Sequence, residues 1–267
     1  MTHKTATRRR AFVDQISLAC AEVGATVNWH SDDWVAEITY PPRRVLVIGQ
    51  VFPLNNAAAS QVASDKVAAY QLLAASGVPA VPHHLLRYTM APEAMFTRAL
   101  DACGGVPLVV KPHRESSGYD VRRASDQAEL RYLLDHYATR YRAVAVSPWQ
   151  NVLDEYRVVV LDGSPLLAYR KDLAEGPEWR HNLQFGARPE LDVEPALRTL
   201  LEEMARDAMG ALDLRFASVD VIRSVDRLLV LEVNSGVTLE HFGHASERHR
   251  QLADDVYRAA VRASLNV

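Results

Sequence analysis

Two apolar runs separated by a charged break decide the fold of this chain: Phe216-Ala-Ser-Val-Asp-Val-Ile222 and Leu228-Leu-Val-Leu-Glu-Val-Asn234. Both runs have the length of a β-strand and the break between them is turn-like, so the stretch predicts a β-hairpin. Asp220 lies inside the first run, and Glu232 and Asn234 lie inside the second with one residue between them. Because side chains alternate along a strand, we expect Glu232 and Asn234 on the same face of the sheet.

These three side chains offer two carboxylates and an amide oxygen. Such a set suits a hard cation that also binds substrate phosphates, which describes Mg²⁺ better than Zn²⁺. Short polar motifs often occur by chance, so the alternative is an ordinary hairpin with three solvent-facing polar residues. The stretch alone leaves both interpretations open.

The composition is that of a globular protein. The chain has 267 residues, of which 48% are apolar and 24% charged, enough for two or three lobes with their own cores. Its formal net charge of -3 gives no overall electrostatic case for binding nucleic acid or an anionic membrane. Cys20 and Cys103 form no metal-binding pattern, which argues against structural zinc or a disulfide scaffold. Neither a signal segment nor a membrane span is apparent, so we expect a soluble, cytoplasmic protein.

Residues 1–85 are predicted to form a small α/β domain. Apolar residues at helical spacing predict a helix over Arg10–Val23, and alternation predicts a strand over Trp34–Tyr40. The continuous apolar run Arg44–Gln50 predicts a buried strand. Neither GxGxxG nor GxxxxGK[ST] occurs, so the two commonest phosphate-binding loops are absent.

A helix that begins near Lys66 supplies the first candidate phosphate contact. Ser64 is its predicted cap, and Gly77 is predicted to end it. Lys66 then lies in the first turn, where exposed amide groups favour an anion. The alternative is a solvated lysine.

The second candidate lies in a lobe predicted over residues 86–147. A buried strand over Val106–Val110 leads into Lys111 and then into the small loop Ser116–Gly118. One fixed cation and several unhindered backbone amides suit a polyphosphate. The alternative is a polar hairpin turn.

The remaining residues, 148–267, are predicted to form a larger lobe. An Asp162-Gly163 turn joins two strands, which is a strong local hairpin signal. An amphipathic helix is predicted over Pro195–Leu212, and a final helix over Ala245–Leu265.

The order of these signals resembles the ATP-grasp superfamily. Asp-Lys at a helix start, Val-Val-Lys-Pro with a Ser-Ser-Gly loop, Asp-Glu-Tyr-Arg-Val before Asp-Gly, Arg-x-Asn-Leu and Leu-Glu-Val-Asn follow one another between residues 44 and 242. They are most similar to carboxylate–amine ligases of the ribosomal-protein glutamate ligase and D-alanine:D-alanine ligase types. The resemblance implies a fold of α/β and α+β class, with an N-terminal pre-ATP-grasp domain plus two α+β lobes that clasp ATP.

The resemblance also implies site residues. Lys66 and Lys111 match lysines that reach ATP, and Arg180 matches an arginine that faces the transferring phosphate. The loop over the β- and γ-phosphates matches Ser116, Ser117 and Gly118. The hinge beside adenine and the ribose contact match Ser147, Pro148, Trp149, Gln150, and Asp154 or Glu155. The ligands of Mg²⁺, for which Mn²⁺ is an alternative, match Asp220, Glu232 and Asn234.

Two departures from the ligase pattern concern the hinge and the substrate. The hinge reads Pro148-Trp149 where an acidic–aromatic pair is usual, and a small-Pro-Gly continuation after Asn234 is missing. Substrate identity is therefore open. The candidates to bind an amino acid or peptide, each with a surface position as its alternative, are Lys171, Asn182, Ser235, Gly236, Glu240, His241 and His244.

The function implied by the resemblance is ATP-dependent ligation. A carboxylate, of an amino acid or peptide, would be activated as an acylphosphate and joined to an amine, with release of ADP and phosphate. Lys111 and Arg180 would be the catalytic residues. The expected partners are the small-molecule carboxylate and amine, without nucleic acid or membrane, and a homodimer is left open. The alternatives are an ATP-grasp kinase acting on a hydroxyl and a non-catalytic nucleotide-binding regulatory protein.

Overall fold

The structure is a computed structural model that describes residues 10–115, 118–173, 176, 178–225 and 227–267. Its contacts divide the chain into two compact units. The first consists of the segment that ends at Asn55 together with Gly236–Val267, and the second is Asn56–Ser235. The predicted domain limits at residues 85 and 147 fall inside the second unit, and that three-domain division stays a prediction.

Helices and strands alternate irregularly along the described residues. The α-helices are α1 (Ala11–Glu22), α2 (Ala57–Ser64), α3 (Lys66–Ala75), α4 (Pro92–Cys103), α5 (Gln127–Ala138), α6 (Pro195–Ala211), α7 (Glu240–Gly243) and α8 (Glu247–Leu265). The strands are β1 (Thr26–His30), β2 (Val35–Tyr40), β3 (Arg43–Ile48), β4 (His84–Arg87), β5 (Leu108–Pro112), β6 (Arg122–Ala124), β7 (Ala143–Pro148), β8 (Asp154–Leu161), β9 (Ser164–Asp172), β10 (Arg188–Glu190), β11 (Phe216–Arg223) and β12 (Leu228–Asn234). Within the described ranges, no helix combines the length and the apolar character that crossing a membrane requires.

The first unit contains a three-stranded antiparallel sheet of order β1-β2-β3, with α1 and α8 packed together beside it. Phe12 of α1 packs edge to face on Trp29, with ring centroids 6.0 Å apart. The strand predicted at Arg44–Gln50 is present as β3, but the prediction that it is buried is wrong. In β3 only Val47 is buried, while Leu46 and Ile48 are 45% and 53% exposed, because β3 is an edge strand covered on one face.

The second unit is built on two antiparallel sheets of order β10-β9-β8-β11-β12 and β4-β7-β5-β6. Helix α6 covers the first sheet, whereas α4 and α5 pack on the second. Both predicted hairpins are confirmed: β8 pairs with β9 about Asp162-Gly163, and β11 pairs with β12. Asp162 and Gly163 have φ angles of 48° and 76°, as a tight hairpin turn requires.

The cap predicted for the helix at Lys66 is wrong by one residue. Ser64 is the last residue of α2, a short helix that the sequence pattern did not indicate. Asp65 is the cap of α3, since its carboxylate accepts a hydrogen bond of 3.0 Å from the backbone nitrogen of Ala68. Lys66 nevertheless occupies the first helical position, as predicted.

Candidate functional site

A β-bulge in the β11–β12 hairpin aims two adjacent side chains into one cavity. Asp220 lies opposite Glu232, but the next pair is Val221 with Val230, so Leu231 is an extra residue on its strand. Regular alternation would place Leu231 and Glu232 on opposite faces of the sheet. Bulges re-aim side chains, and here both residues line the cavity.

The cavity lies inside the second unit, and its lining contains an apolar set, here called the apolar wall, and a charged set, here called the charged wall. The apolar wall comes from three strands and four loop segments: Val81, Val109, Val121, Val152, Leu173, Ile222 and Leu231. The charged wall consists of three cations and three carboxylates: Lys66, Lys111, Arg180, Glu115, Glu155 and Glu232. An apolar slot suits a flat heterocycle and clustered cations suit phosphates, so the cavity has the character of a nucleotide site.

Two tryptophans line the same cavity. Trp149, at the predicted hinge, and Trp179 lie edge to face with centroids 5.0 Å apart. Arg123 covers the ring of Trp149 at 4.3 Å from the centroid. The indoles therefore stand in fixed orientations beside the apolar wall.

Lys111 brings a buried cation to the charged wall. Its side chain is 7% exposed, and among the described residues its ammonium has neither a hydrogen-bond nor an ion-pair partner. Burial lowers the pKa of Lys111 to about 8, and nearby Lys66 acts in the same direction, although Glu232 opposes the shift. A buried ammonium without a partner is unfavourable until an anion arrives, so Lys111 is poised for a ligand.

Two other cations hold the loop that follows Lys111. Lys66 Nζ donates a hydrogen bond to the carbonyl oxygen of Glu115, and Arg180 Nη1 donates one of 3.1 Å to the carbonyl oxygen of Gly118. Ser116 and Ser117, which were predicted to contact phosphates, lie outside the described residues. The two ends of the loop are thus tied to α3 and to the segment that carries Arg180.

Arg180 is oriented by its neighbour Glu178. Its Nε and Nη2 atoms donate to the two oxygens of Glu178 at 2.8 and 2.7 Å, and its guanidinium lies 3.9 Å from the ring centroid of Phe185. Hydrogen bonds from Arg180 hold the pKa of Glu178 at about 2, so the pair stays ionised at neutral pH. Two bonds and a ring face fix the plane of the guanidinium before any substrate binds.

The two candidates for a ribose contact have different surroundings. Glu155 lines the cavity. Asp154 does not, and its carboxylate accepts hydrogen bonds from Arg223 at 2.8 Å and from Arg170 at 3.3 Å. Glu155 is also paired, since it accepts a hydrogen bond of 2.5 Å from Lys171 Nζ. Of the two candidates, Glu155 is therefore the one at the cavity surface.

The predicted metal ligands are close together but differ in what they already bind. Glu232 lines the cavity, and Asn234 Nδ2 donates to it at 3.2 Å. Asp220 is 1% exposed and is ion-paired to Arg157 and Lys171. The carboxylate of Glu232 at the cavity wall and the amide oxygen of the adjacent Asn234 are ligands of the kind that a hard cation takes. The pairing of Asp220 does not favour it as a third ligand.

The cavity collects about half of the residues predicted from the sequence. Those that line it are Lys66, Lys111, Gly118, Ser147, Pro148, Trp149, Gln150, Glu155, Arg180, Asn182 and Glu232. Those in the same unit that do not line it are Asp154, Lys171, Asp220, Asn234 and Ser235. Four substrate candidates belong to the first unit instead: Gly236, Glu240, His241 and His244.

Several lining residues were not predicted. The sequence did contain a signal for Ile222, which lies two positions after Asp220 and so shares its face of β11. Trp179 and His181 flank the predicted Arg180. The other apolar residues come from separate strands and loops, and no local pattern marks them. Glu178 is recognisable only through its bonds to Arg180.

Comparison with known proteins agrees with this geometry. The profile of the RimK-like ATP-grasp domain matches residues 63–254. A protein of Syntrophotalea carbinolica named probable alpha-L-glutamate ligase is 27% identical over 219 residues, which cover 78% of this chain and 66% of that protein. A protein of the same name from Marinobacter nauticus is 27% identical over 241 residues, covering 89% of this chain and 74% of that protein.

A solved structure shares the fold. The D-alanine–D-alanine ligase of Bacillus anthracis complexed with ATP superposes with a TM-score of 0.60 and 20% identity, covering 79% of this chain and 70% of that one. The predicted ATP-grasp fold is thereby confirmed. The family profile spans well over half of the sequence, and the chain belongs to the RimK-like ATP-grasp family.

Proposed function

We propose that this protein is an ATP-dependent ligase that joins a carboxylate to an amine. Family membership, the names of the relatives and the two-walled cavity support the proposal. The observation that carries it is Lys111, a buried cation without a hydrogen-bond partner among the described residues, facing a cavity that it shares with Glu232. A site with this charge is complementary to a polyphosphate.

The cavity residues divide the binding of ATP between them. The apolar wall and the tryptophans would enclose adenine, and Glu155 would reach the ribose. Lys66 and Lys111 would neutralise phosphate oxygens, under the loop that ends at Gly118. Glu232 and Asn234 would hold Mg²⁺, or Mn²⁺ in its place. When bound, that ion supplies charge neutralisation between phosphates.

The proposed reaction proceeds in two steps. A carboxylate oxygen attacks the γ-phosphorus of ATP, the bond from that phosphorus to the bridging oxygen breaks, and ADP leaves. The amine nitrogen then attacks the acyl carbon and loses a proton, while the carbon–oxygen bond to phosphate breaks. Phosphoryl transfer depends mainly on positioning and electrostatics, which Lys111 and Arg180 supply. Losing one such group commonly costs about 3 to 4 kcal/mol of transition-state stabilisation.

We infer that the activated carboxylate belongs to an amino acid or a peptide. The names of the relatives support this class, and Asn182 is the predicted substrate residue that lines the cavity. Two free cysteines, one of them buried, are consistent with the expected cytoplasmic location. The homodimer remains a prediction, to be tested by measuring the mass in solution.

A substrate screen tests the proposal. Amino acids and dipeptides are offered in pairs with Mg-ATP, and phosphate release is measured with and without hydroxylamine. The ligase proposal predicts release that requires a carboxylate and an amine, with a hydroxamate formed when hydroxylamine replaces the amine. ADP formation with a hydroxyl compound alone would support the kinase alternative. ATP binding without turnover across the screen would support the regulatory one.

A further inference from the structure

The two carboxylates that face each other in the β11–β12 hairpin have opposite surroundings. Asp220 is 1% exposed, and Arg157 donates to both of its oxygens, from Nε to Oδ1 and from Nη2 to Oδ2, each at 2.7 Å. Lys171 is 2% exposed, and its Nζ atom lies 2.9 Å from Oδ1 of Asp220. Glu232 receives one hydrogen bond, from the neutral amide of Asn234, among the contacts of the described residues.

The cations beside Asp220 are themselves held firmly. Lys171 also donates to Glu155 at 2.5 Å, and Arg157 crosses directly from the neighbouring strand, where it is the register partner of Asp220. Asp220 is thus bonded to two cations, Arg157 and Lys171, and Glu155 supplies the second negative charge of this buried group. To bind a divalent ion, Asp220 would have to release a buried bond and accept the ion beside two cations, and both changes are unfavourable.

We infer that the site holds a single divalent cation, on Glu232 and Asn234, and that Arg157 and Lys171 supply at Asp220 the positive charge that a second ion would bring. The inference rests on the proposed function, since it concerns the cation that accompanies the nucleotide. It replaces the three-ligand set expected from the sequence with two ligands and a buried ion-paired carboxylate. Arg157 and Lys171 are positioning residues in this arrangement.

Counting bound Mn²⁺ on the whole chain tests the inference without turnover. Protein is saturated with a non-hydrolysable ATP analogue, and Mn²⁺ binding is measured by equilibrium dialysis and by electron paramagnetic resonance. One Mn²⁺ per chain with a single-ion spectrum is expected. Two per chain, or the spectrum of a coupled pair, would overturn the inference. Nucleotide binding is measured separately, so that failure to bind the analogue identifies a failure of the proposed function, while bound analogue without Mn²⁺ overturns the inference alone.

Two variants locate the ion. Glu232→Gln should weaken Mn²⁺ binding at least tenfold. Arg157→Met frees Oδ2 of Asp220, so this variant should bind a second Mn²⁺ more weakly than the first. If the variant still binds one Mn²⁺ per chain, then Arg157 does not take the place of a second ion. Thermal melting checks that both variants are folded. If Arg157→Met does not fold, the wild-type count and spectrum still decide the question.

Discussion

A Cβ atom on Gly118 would stand 2.8 Å from Oδ1 of Asn182, which is closer than real Cβ atoms approach another heavy atom. Gly118 also has a φ angle of +69°, in the region that favours glycine. Arg180 bonds to the carbonyl oxygen of the same residue. The backbone at Gly118 is therefore fitted closely to the segment that carries Arg180 and Asn182.

Replacing Gly118 should displace its backbone or the amide group of Asn182. We expect Gly118→Ala to weaken ATP binding at least tenfold, as measured by calorimetry. Gly163→Ala is the matched control, because Gly163 has a similar φ of +76° but open space around it. That variant should lose about 1 to 2 kcal/mol of stability and keep its affinity for ATP. Equal affinity losses in the two variants would show that backbone strain alone explains the effect.

Lys111→Met should separate stability from function. The buried ammonium destabilises the folded protein, so an apolar side chain of similar length should raise the melting temperature while ATP binding is lost. The cost of holding Lys111 with a pKa of about 8 instead of 10.5 is on the order of 3 kcal/mol. A variant that melts well below the wild type would contradict this assignment of Lys111.

The pH dependence of stability follows from the same residue. Because the folded-state pKa of Lys111 is about 8 and its ordinary value is 10.5, the unfolded chain binds more protons between these values. The contribution of Lys111 to the unfolding free energy should therefore rise from pH 8 to pH 10.5. Denaturant titrations across this range give the unfolding free energies of the wild type and of Lys111→Met. The variant should be the more stable protein at pH 8, and its advantage should shrink as the pH rises.

Lys171→Met should have the opposite effect on stability. Lys171 is as buried as Lys111 but is paired with Asp220 and Glu155, and these carboxylates raise its pKa against the effect of burial. Removing one partner of a buried ion pair commonly costs about 3 to 5 kcal/mol. Denaturant unfolding should show a loss of this size, and an unchanged midpoint would contradict the ion-paired arrangement.

Arg180→Ala should lower turnover at least a hundredfold, with a smaller change in ATP affinity, because its charge acts mainly on the transferring phosphoryl group. Arg215→Ala is the control. Arg215 pairs with Asp162 at the surface, outside the cavity lining, and its loss should leave turnover within twofold of the wild type. Steady-state kinetics of the two variants make the comparison, and wild-type turnover in Arg180→Ala would remove Arg180 from the mechanism.

Local patterns were sufficient to predict both hairpins and the helices α1, α3, α6 and α8. The β11–β12 hairpin follows from two apolar runs and a polar break, and Lys66 was expected in a first turn, where it lies. Ser64 and Asp65 are both good caps, and the choice between them depended on α2, which ends at Ser64. Which of two adjacent residues caps a helix thus depends on the neighbouring structure and not on the local sequence alone.

The environment of the charged residues could not be read from the sequence. Nothing local distinguishes Lys111, which has no hydrogen-bond partner among the described residues, from Lys171, which is paired twice. The bulge at Leu231 and the bonds of Arg157 to Asp220 arise from strand register, which joins residues 63 positions apart. The sequence motif identifies the candidate oxygen ligands. Contacts across neighbouring strands determine which of these ligands is already ion-paired and which can bind a metal ion.

Oxygen transfer is the most direct test of carboxylate activation in this cavity. The amino acid or peptide found in the screen is labelled with ¹⁸O in its carboxylate, and the phosphate released with Mg-ATP and the amine is analysed by mass spectrometry. We predict one ¹⁸O atom in the phosphate from the wild type, and release reduced at least a hundredfold in Lys111→Ala and Glu232→Gln. Unlabelled phosphate, or wild-type release by either variant, would contradict the account.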